Sequence, residues 1–252
     1  MLWHKSWVET RWRFLIGLAV LLCSAGANVL LYPQVMKLLP SVPPADPSSL
    51  LVRQIREAAE LMRSYRGYIF AQWFRQNLPQ LWTIMAALLG SGGLLTQGAA
   101  LFTLSLPVSR AQLSGVRALV GLAELLALAI LPTLVVPLLS PAVGQSYAIG
   151  DALAHAMCLF VAGTVFFSVA FLLSTAFADV WRPLLLSLAV AVALASVEPF
   201  FRRASIHGIF GLMSGDTYFR TGTLPWLGLL ASAAASAAIV WLASVSITRR
   251  DF

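Results

Sequence analysis

Asp151 and His155 stand four residues apart, so on a helix they share a face, and Ser146 lies just upstream in Gly144-Gln145-Ser146. These residue types would suit a proton relay, a metal pair, or hydrolysis by an intramembrane enzyme. The patterns around them argue for less. The sequence has no H-E-x-x-H zinc motif and no G-x-S-x-G nucleophile elbow. Asp151, at the start of an apolar run, reads more simply as a helix cap at an outer interface. Glu124 sits alone inside another apolar run, where an ionisable group is costly. It is either a helix-packing acid or a group on a substrate or gating path. Asn28 is placed to hydrogen-bond between helices, with substrate contact as the sharper alternative. Cys23 and Cys158 both fall in apolar runs and read as buried, inert thiols rather than a disulfide or a metal site.

The elements that carry these residues are set by composition. Of 252 residues, 59% are hydrophobic and 11% charged, where soluble domains carry about 25% charged residues. The mean hydropathy is +0.83. One soluble core cannot hide that much apolar surface, which excludes a soluble enzyme, a disordered regulator and a disulfide mini-protein. The expected fold class is an all-α, multi-pass membrane protein. A crossing helix needs about 20 mostly apolar residues. That rule gives about six spans, near 13–32, 79–101, 116–139, 152–174, 183–200 and 225–247. Pro132 and Pro137 in the third do not veto it, because neighbouring helices re-satisfy the released backbone groups. The start is basic and Trp-rich without a small-residue cleavage motif, so the first apolar run is expected to be a retained span.

Three further segments have their own periodicity. Ser6 and Glu9 form a capping box, and Trp3, Trp7 and Trp12 suit the headgroup level, so an interfacial helix is expected over about 1–12. Residues 48–77 repeat apolar side chains at three and four (Leu51, Ile55, Ala58, Leu61, Met62, Tyr65, Ile69, Trp73), with Arg53, Arg56, Arg63 and Arg66 mostly off that stripe. This amphipathic outer helix either lies on the membrane surface or packs against the spans. The aromatic, Gly-rich stretch 199–224 is too broken for a span and reads as short re-entrant or interfacial helices, with Glu198-Pro199 ending the fifth span.

The net charge of +7 fits interfacial anchoring to anionic lipid. Nucleic acid is not the expected partner, because no basic stripe interleaves with aromatics. With termini inside, the inner segments hold Lys5, Arg11, Arg13, Arg110, Arg117, Arg182, Arg249 and Arg250. The outer segments hold Lys37, Arg53, Arg56, Arg63, Arg66, Arg75, Arg202, Arg203 and Arg220. Eight against nine does not decide. Weight on span ends, where Arg11, Arg13, Arg249 and Arg250 stand, favours cytoplasmic termini.

The segment Leu106-Pro107-Val108-Ser109-Arg110-Ala111-Gln112 joins the second and third spans. Pro107 ends the preceding helix, and Ser109 with Gln112 forms a capping box, so a short helix is expected to begin near Arg110. This run, preceded by Gly90-Ser91-Gly92-Gly93 and Leu101 to Leu104, resembles the ABC-2 family of ABC transporter permeases. Trp12-Arg13-Phe14, Phe177 to Arg182, Gly211 to Asp216 and the ending Arg249-Arg250-Asp251-Phe252 extend the similarity along nearly the whole chain. Many relatives carry an acidic residue where this chain has Gln97. The resemblance implies a single transmembrane domain over 1–252 with a cytoplasmic coupling helix at about 105–116. Its docking residues would be Leu106, Pro107, Val108, Ser109, Arg110 and Gln112, and Glu124 and Asn28 would be candidates for the translocation path. It implies a homodimer in the cell (inner) membrane, working as an exporter with two copies of a separate ATPase. ATP and Mg would bind that ATPase and no cofactor this chain, which is itself not an enzyme. The sequence agrees in having no G-x-x-x-x-G-K-[ST] phosphate loop and only two lysines, Lys5 and Lys37. The alternative is the intramembrane hydrolase built on Ser146, Asp151 and His155.

Overall fold

The computed structural model describes residues 2–38, 60–92, 109–177, 179–202 and 208–248. Among them every regular element is helical: α1 (Leu2–Leu30), α2 (Tyr32–Leu38), α3 (Tyr65–Ile69), a π-helical segment (Phe70–Asn77), α4 (Leu78–Gly90), α5 (Arg110–Leu139), a 3₁₀ turn (Ser140–Val143), α6 (Ile149–Ser174), α7 (Trp181–Arg202), α8 (Ile209–Ser214), α9 (Asp216–Thr221) and α10 (Trp226–Thr248). Five of these stretches are long and apolar enough to cross a membrane: Leu2–Leu30, Gln112–Val143, Ile149–Ser174, Trp181–Glu198 and Trp226–Ile247. They coincide with five of the six expected spans.

The remaining expected span, over 79–101, has no counterpart among these five. Helix stops at Gly90, and Ser91 caps it by donating its N–H to the Ala87 carbonyl. The run instead continues upstream, through the π segment, to Tyr65. Tyr65, Tyr68, Ile69, Phe70, Trp73, Phe74, Leu78 and Trp82 are all buried. The apolar stripe of the expected amphipathic helix is therefore core over 65–77, not membrane surface. Residues 48–59 of that helix, like 93–101 of the expected second span, lie outside the described residues.

Other boundaries also move. The expected interfacial helix over 1–12 and the first span are one unbroken helix of 29 residues. Ser6 lies inside it, buried and without a hydrogen-bond partner for its hydroxyl, so it is no cap. α5 is an unbroken 30-residue helix that carries Pro132 and Pro137 inside it. The part of the expected coupling helix at 110–116 is therefore its first turns, and 105–108 lie outside the described residues. α7 runs through Pro199 to Arg202 instead of ending at Glu198. The connection to α10 does hold short helices, α8 and α9. Cys23 is exposed and Cys158 buried, so only the second is the hidden thiol expected.

α6 is the axis of the bundle: 61% of its apolar window is buried, against 22% for α7 and 17% for α10. It packs against α4, α5, α7, α8 and α10, while α1 lies on α5 and α4. Close approach to α6 depends on glycine. A Cβ on Gly163 would lie 2.3 Å from the Trp82 ring, and one on Gly90 would lie 2.6 Å from the Phe167 carbonyl oxygen. Successive long helices run in opposite directions. Glu9 meets Arg117 at the end where α1 begins, and Tyr65 meets Ser140 at the other. The start of α5 and the ends of α4, α6 and α10 thus share the end at which α1 begins, here called the N-terminal end.

Candidate functional site

The opposite end is closed by a dense polar and aromatic cluster. His155 is 1% exposed. Its Nδ1 lies 2.9 Å from the Ser214 carbonyl oxygen, which can only accept, so Nδ1 carries the proton and donates. Nε2 is buried without a partner. The imidazole stacks on Phe74 at 4.2 Å between ring centroids, and the Tyr218 ring meets it edge-on at 5.7 Å. Tyr218 donates its hydroxyl to Asp151 Oδ1 at 2.9 Å, while Arg66 holds Oδ2 at 3.2 Å. The bond to the Asp151 carboxylate, helped by burial, pushes the Tyr218 phenol above its ordinary pKa. Burial does the same to Tyr147 nearby.

Local structure explains this convergence. The π segment widens the helix between α3 and α4 and turns Phe70 and Phe74 inward, so Phe70 stacks on Phe219 at 3.9 Å. Such turns are rare and concentrate at functional sites. Between α8 and α9, Gly215 has φ +68°, and a Cβ there would lie 2.7 Å from His155 Nδ1, so only glycine lets the turn approach the imidazole. Glu198 anchors the near side of the same unit. Its carboxylate accepts N–H groups from Phe210 at 3.2 Å and Gly211 at 2.8 Å, satisfying donors of the first turn of α8.

At the N-terminal end, charged and polar side chains join α1 to α5. Glu9 on α1 pairs with Arg117 on α5 at 3.0 Å. Thr10, next to Glu9 on α1, hydrogen-bonds the carboxyl of Glu124, two turns beyond Arg117 on α5. Arg13 and Arg117 converge over Gly92, where a Cβ would lie 2.7 Å from one guanidinium and 3.0 Å from the other. At the start of α5 the Ser109 hydroxyl accepts the Gln112 N–H at 3.2 Å, as a helix cap should.

Between the two ends a groove of about 580 Å³ runs along α5, α6 and α10. Leu122, Phe160, Phe171, Val240 and Trp241 make it apolar; Thr164, Ser168, Ser236 and Ser244 add hydroxyls. Those hydroxyls are largely satisfied locally: Ser168 donates to the Thr164 carbonyl, Ser244 to the Trp241 carbonyl, and Thr164 bonds Ser236 at 3.2 Å. The groove therefore offers an apolar surface with few competing polar demands, as a site for a lipophilic molecule does. No protein-family model, curated protein or solved structure matches the chain.

The structure sorts the residues singled out from the sequence. Asp151 and His155 do share a face and meet through Tyr218, but Asp151 is an ion-pair partner of Arg66 rather than the helix cap; the N-cap of α6 is Ala148. Ser146 is exposed, and among the described residues no hydrogen bond joins it to Asp151 or His155. No group of three or more potential metal ligands occurs among the described residues. Asn28 does bond across helices. It receives the Asn77 amide on Oδ1 at 3.4 Å and the Tyr68 hydroxyl on its carbonyl at 3.2 Å. Neither Asn28 nor Glu124 lines the groove. Leu106, Pro107 and Val108 lie outside the described residues, and α5 begins at Arg110. The contacts of Glu198 and Tyr218 were not legible, because both reach across from separate elements.

Proposed function

We propose that this chain is the membrane-spanning subunit of an ATP-driven transporter of the ABC-2 type. It would work as a homodimer that exports a lipophilic substrate across the cell membrane, with both termini in the cytoplasm. The observation that carries this reading is that the capped start of α5 stands at the same end of the bundle as the start of α1 and the end of α10. An ATPase docked there would touch the start of α5, at Ser109 to Gln112, and the first turns of α1 together. The Glu9–Arg117 pair ties those two helices just inside that face, so a push on one is carried to the other. The groove along α5, α6 and α10 supplies an apolar wall for the translocation path. The exposed apolar faces of α7 and α10, which include Leu185, Val192, Leu227 and Trp241, suit lipid and a second copy.

In this mechanism the chain binds no nucleotide. ATP and Mg belong to the partner, whose closure drives α1 and α5 as levers about the α6 axis. Co-purification tests the proposal. An ATPase encoded beside this chain is expected to be retained by the tagged protein and to be lost with Arg110→Glu. Failure to retain any ATPase contradicts the proposal.

A further inference from the structure

Glu124 is 3% exposed and sits in the apolar interior between α1 and α5. One carboxyl oxygen, Oε1, lies against the Thr10 hydroxyl, and the other, Oε2, is buried with no hydrogen-bond partner. Thr10 has one hydroxyl hydrogen but three acceptors in reach: Glu124 Oε1, the Ser6 carbonyl at 3.2 Å and the Trp7 carbonyl at 3.4 Å. With an ionised Glu124 that hydrogen must go to the carboxylate. The charge is then left with one hydrogen bond and a bare oxygen in an apolar site, a costly arrangement. With a neutral Glu124 both hydrogens find acceptors. The acid donates to the Thr10 oxygen, and Thr10 donates back along α1 to the Ser6 carbonyl.

The surrounding charges do not replace the proton. From its own helix, Arg117 faces Glu124, but its guanidinium is held by Glu9 of α1 at 3.0 Å. Arg13 of α1 also faces this region, converging with Arg117 over Gly92. Among the described residues no ion pair reaches Glu124. α4 and α10 bring no ionisable side chain, and the ionisable groups of α6 (Asp151, His155 and Cys158) belong to its opposite half.

We infer that Glu124 is a proton-binding site that fastens the N-terminal half of α1 to α5. The proton comes from water at the N-terminal end and returns there; it is held while α1 is docked and lost when α1 lifts. Docking of α1 is thereby linked to pH, whatever the chain transports.

Infrared spectroscopy of the full chain in lipid nanodiscs tests the site directly. A protonated carboxyl C=O band sensitive to D₂O is expected at neutral pH, absent from Glu124→Gln and displaced in Thr10→Val, which removes its hydrogen-bond partner. A wild-type spectrum without that band, or a band unchanged by both variants, overturns the inference. Hydrogen exchange at residues 6–14 gives a second reading. In the wild type, between the ordinary glutamate value of about 4.3 and the higher pH at which docked Glu124 ionises, it should rise with pH more steeply than in Glu124→Gln, by up to about tenfold per unit. Parallel slopes in the two proteins overturn the linkage.

Discussion

At the end of the bundle that holds Ile149 and Thr221, four separate stretches are pinned to one another. α8 and α9 lie on α6 through His155 and Tyr218, α7 reaches over through Glu198, and the π segment packs Phe70 and Phe74 beneath. At the end that holds Leu2, the packing of α1 on α5 includes the Glu9–Arg117 ion pair and the hydrogen-bonded acid Glu124, and Trp3, Trp7 and Trp12 remain exposed. The first arrangement has many mutually supporting contacts within aromatic packing and resists local opening. The polar ties between α1 and α5 in the second depend on charge and protonation, so they can be shifted by a partner or by solvent. In the transporter proposed above, this difference would supply a lever that yields at the driven end and a closure that holds at the other.

Breaking the closed end should cost most. His155→Ala removes a buried ring and its bond to Ser214, and is expected to destabilise by about 3 kcal/mol in thermal unfolding in detergent. His155→Phe keeps the stacking and loses the bond, for about 1 kcal/mol. Near-equal losses would mean that the ring contacts do little. Glu198→Ala strips the first turn of α8 of its acceptor and should cost about 1 kcal/mol. Hydrogen exchange should rise at 209–214 and leave α1 unchanged. At the yielding end, Glu9→Gln should cost about 1 kcal/mol or less, with the difference from wild type shrinking as salt is added. An effect as large as that of His155→Ala would abolish the contrast between the ends. Smallest is the alkaline response. The raised pKa of Tyr218 makes its contribution fully present below the ordinary tyrosine value of about 10 and lost as pH rises through the higher folded value. Tyr218→Phe should therefore flatten part of the decline in unfolding temperature above that pH.

Much of this arrangement is written in local sequence. The long apolar runs, the tolerance of Pro132 and Pro137, and the cap of Ser109 on Gln112 follow from hydropathy and capping rules. Asp151 and His155 share a face because four residues make about one helical turn. What could not be read depends on distant partners. The stripe Tyr65, Ile69, Trp73 has the same spacing whether it meets lipid or α6, and only the packing of α6 decides. The break at Gly90-Ser91-Gly92 is not legible because it interrupts the helix while leaving the hydropathy high. Glu198 followed by Pro199 looks like a terminus, yet the proline is accommodated within α7 and the carboxylate serves a helix more than ten residues away. Ser6 has the spacing of a cap, but the helix has already begun at Leu2.

Side-specific labelling of single cysteines tests the central claim most directly, in a chain with Cys23 and Cys158 replaced. Ser109→Cys probes the capped start of α5, and Ser146→Cys, exposed at the opposite end, serves as its counterpart. A membrane-impermeant maleimide is expected to label position 146 in intact cells and to reach position 109 only after permeabilisation. Labelling of position 109 from outside intact cells would put the driven end on the wrong face of the membrane and contradict the account.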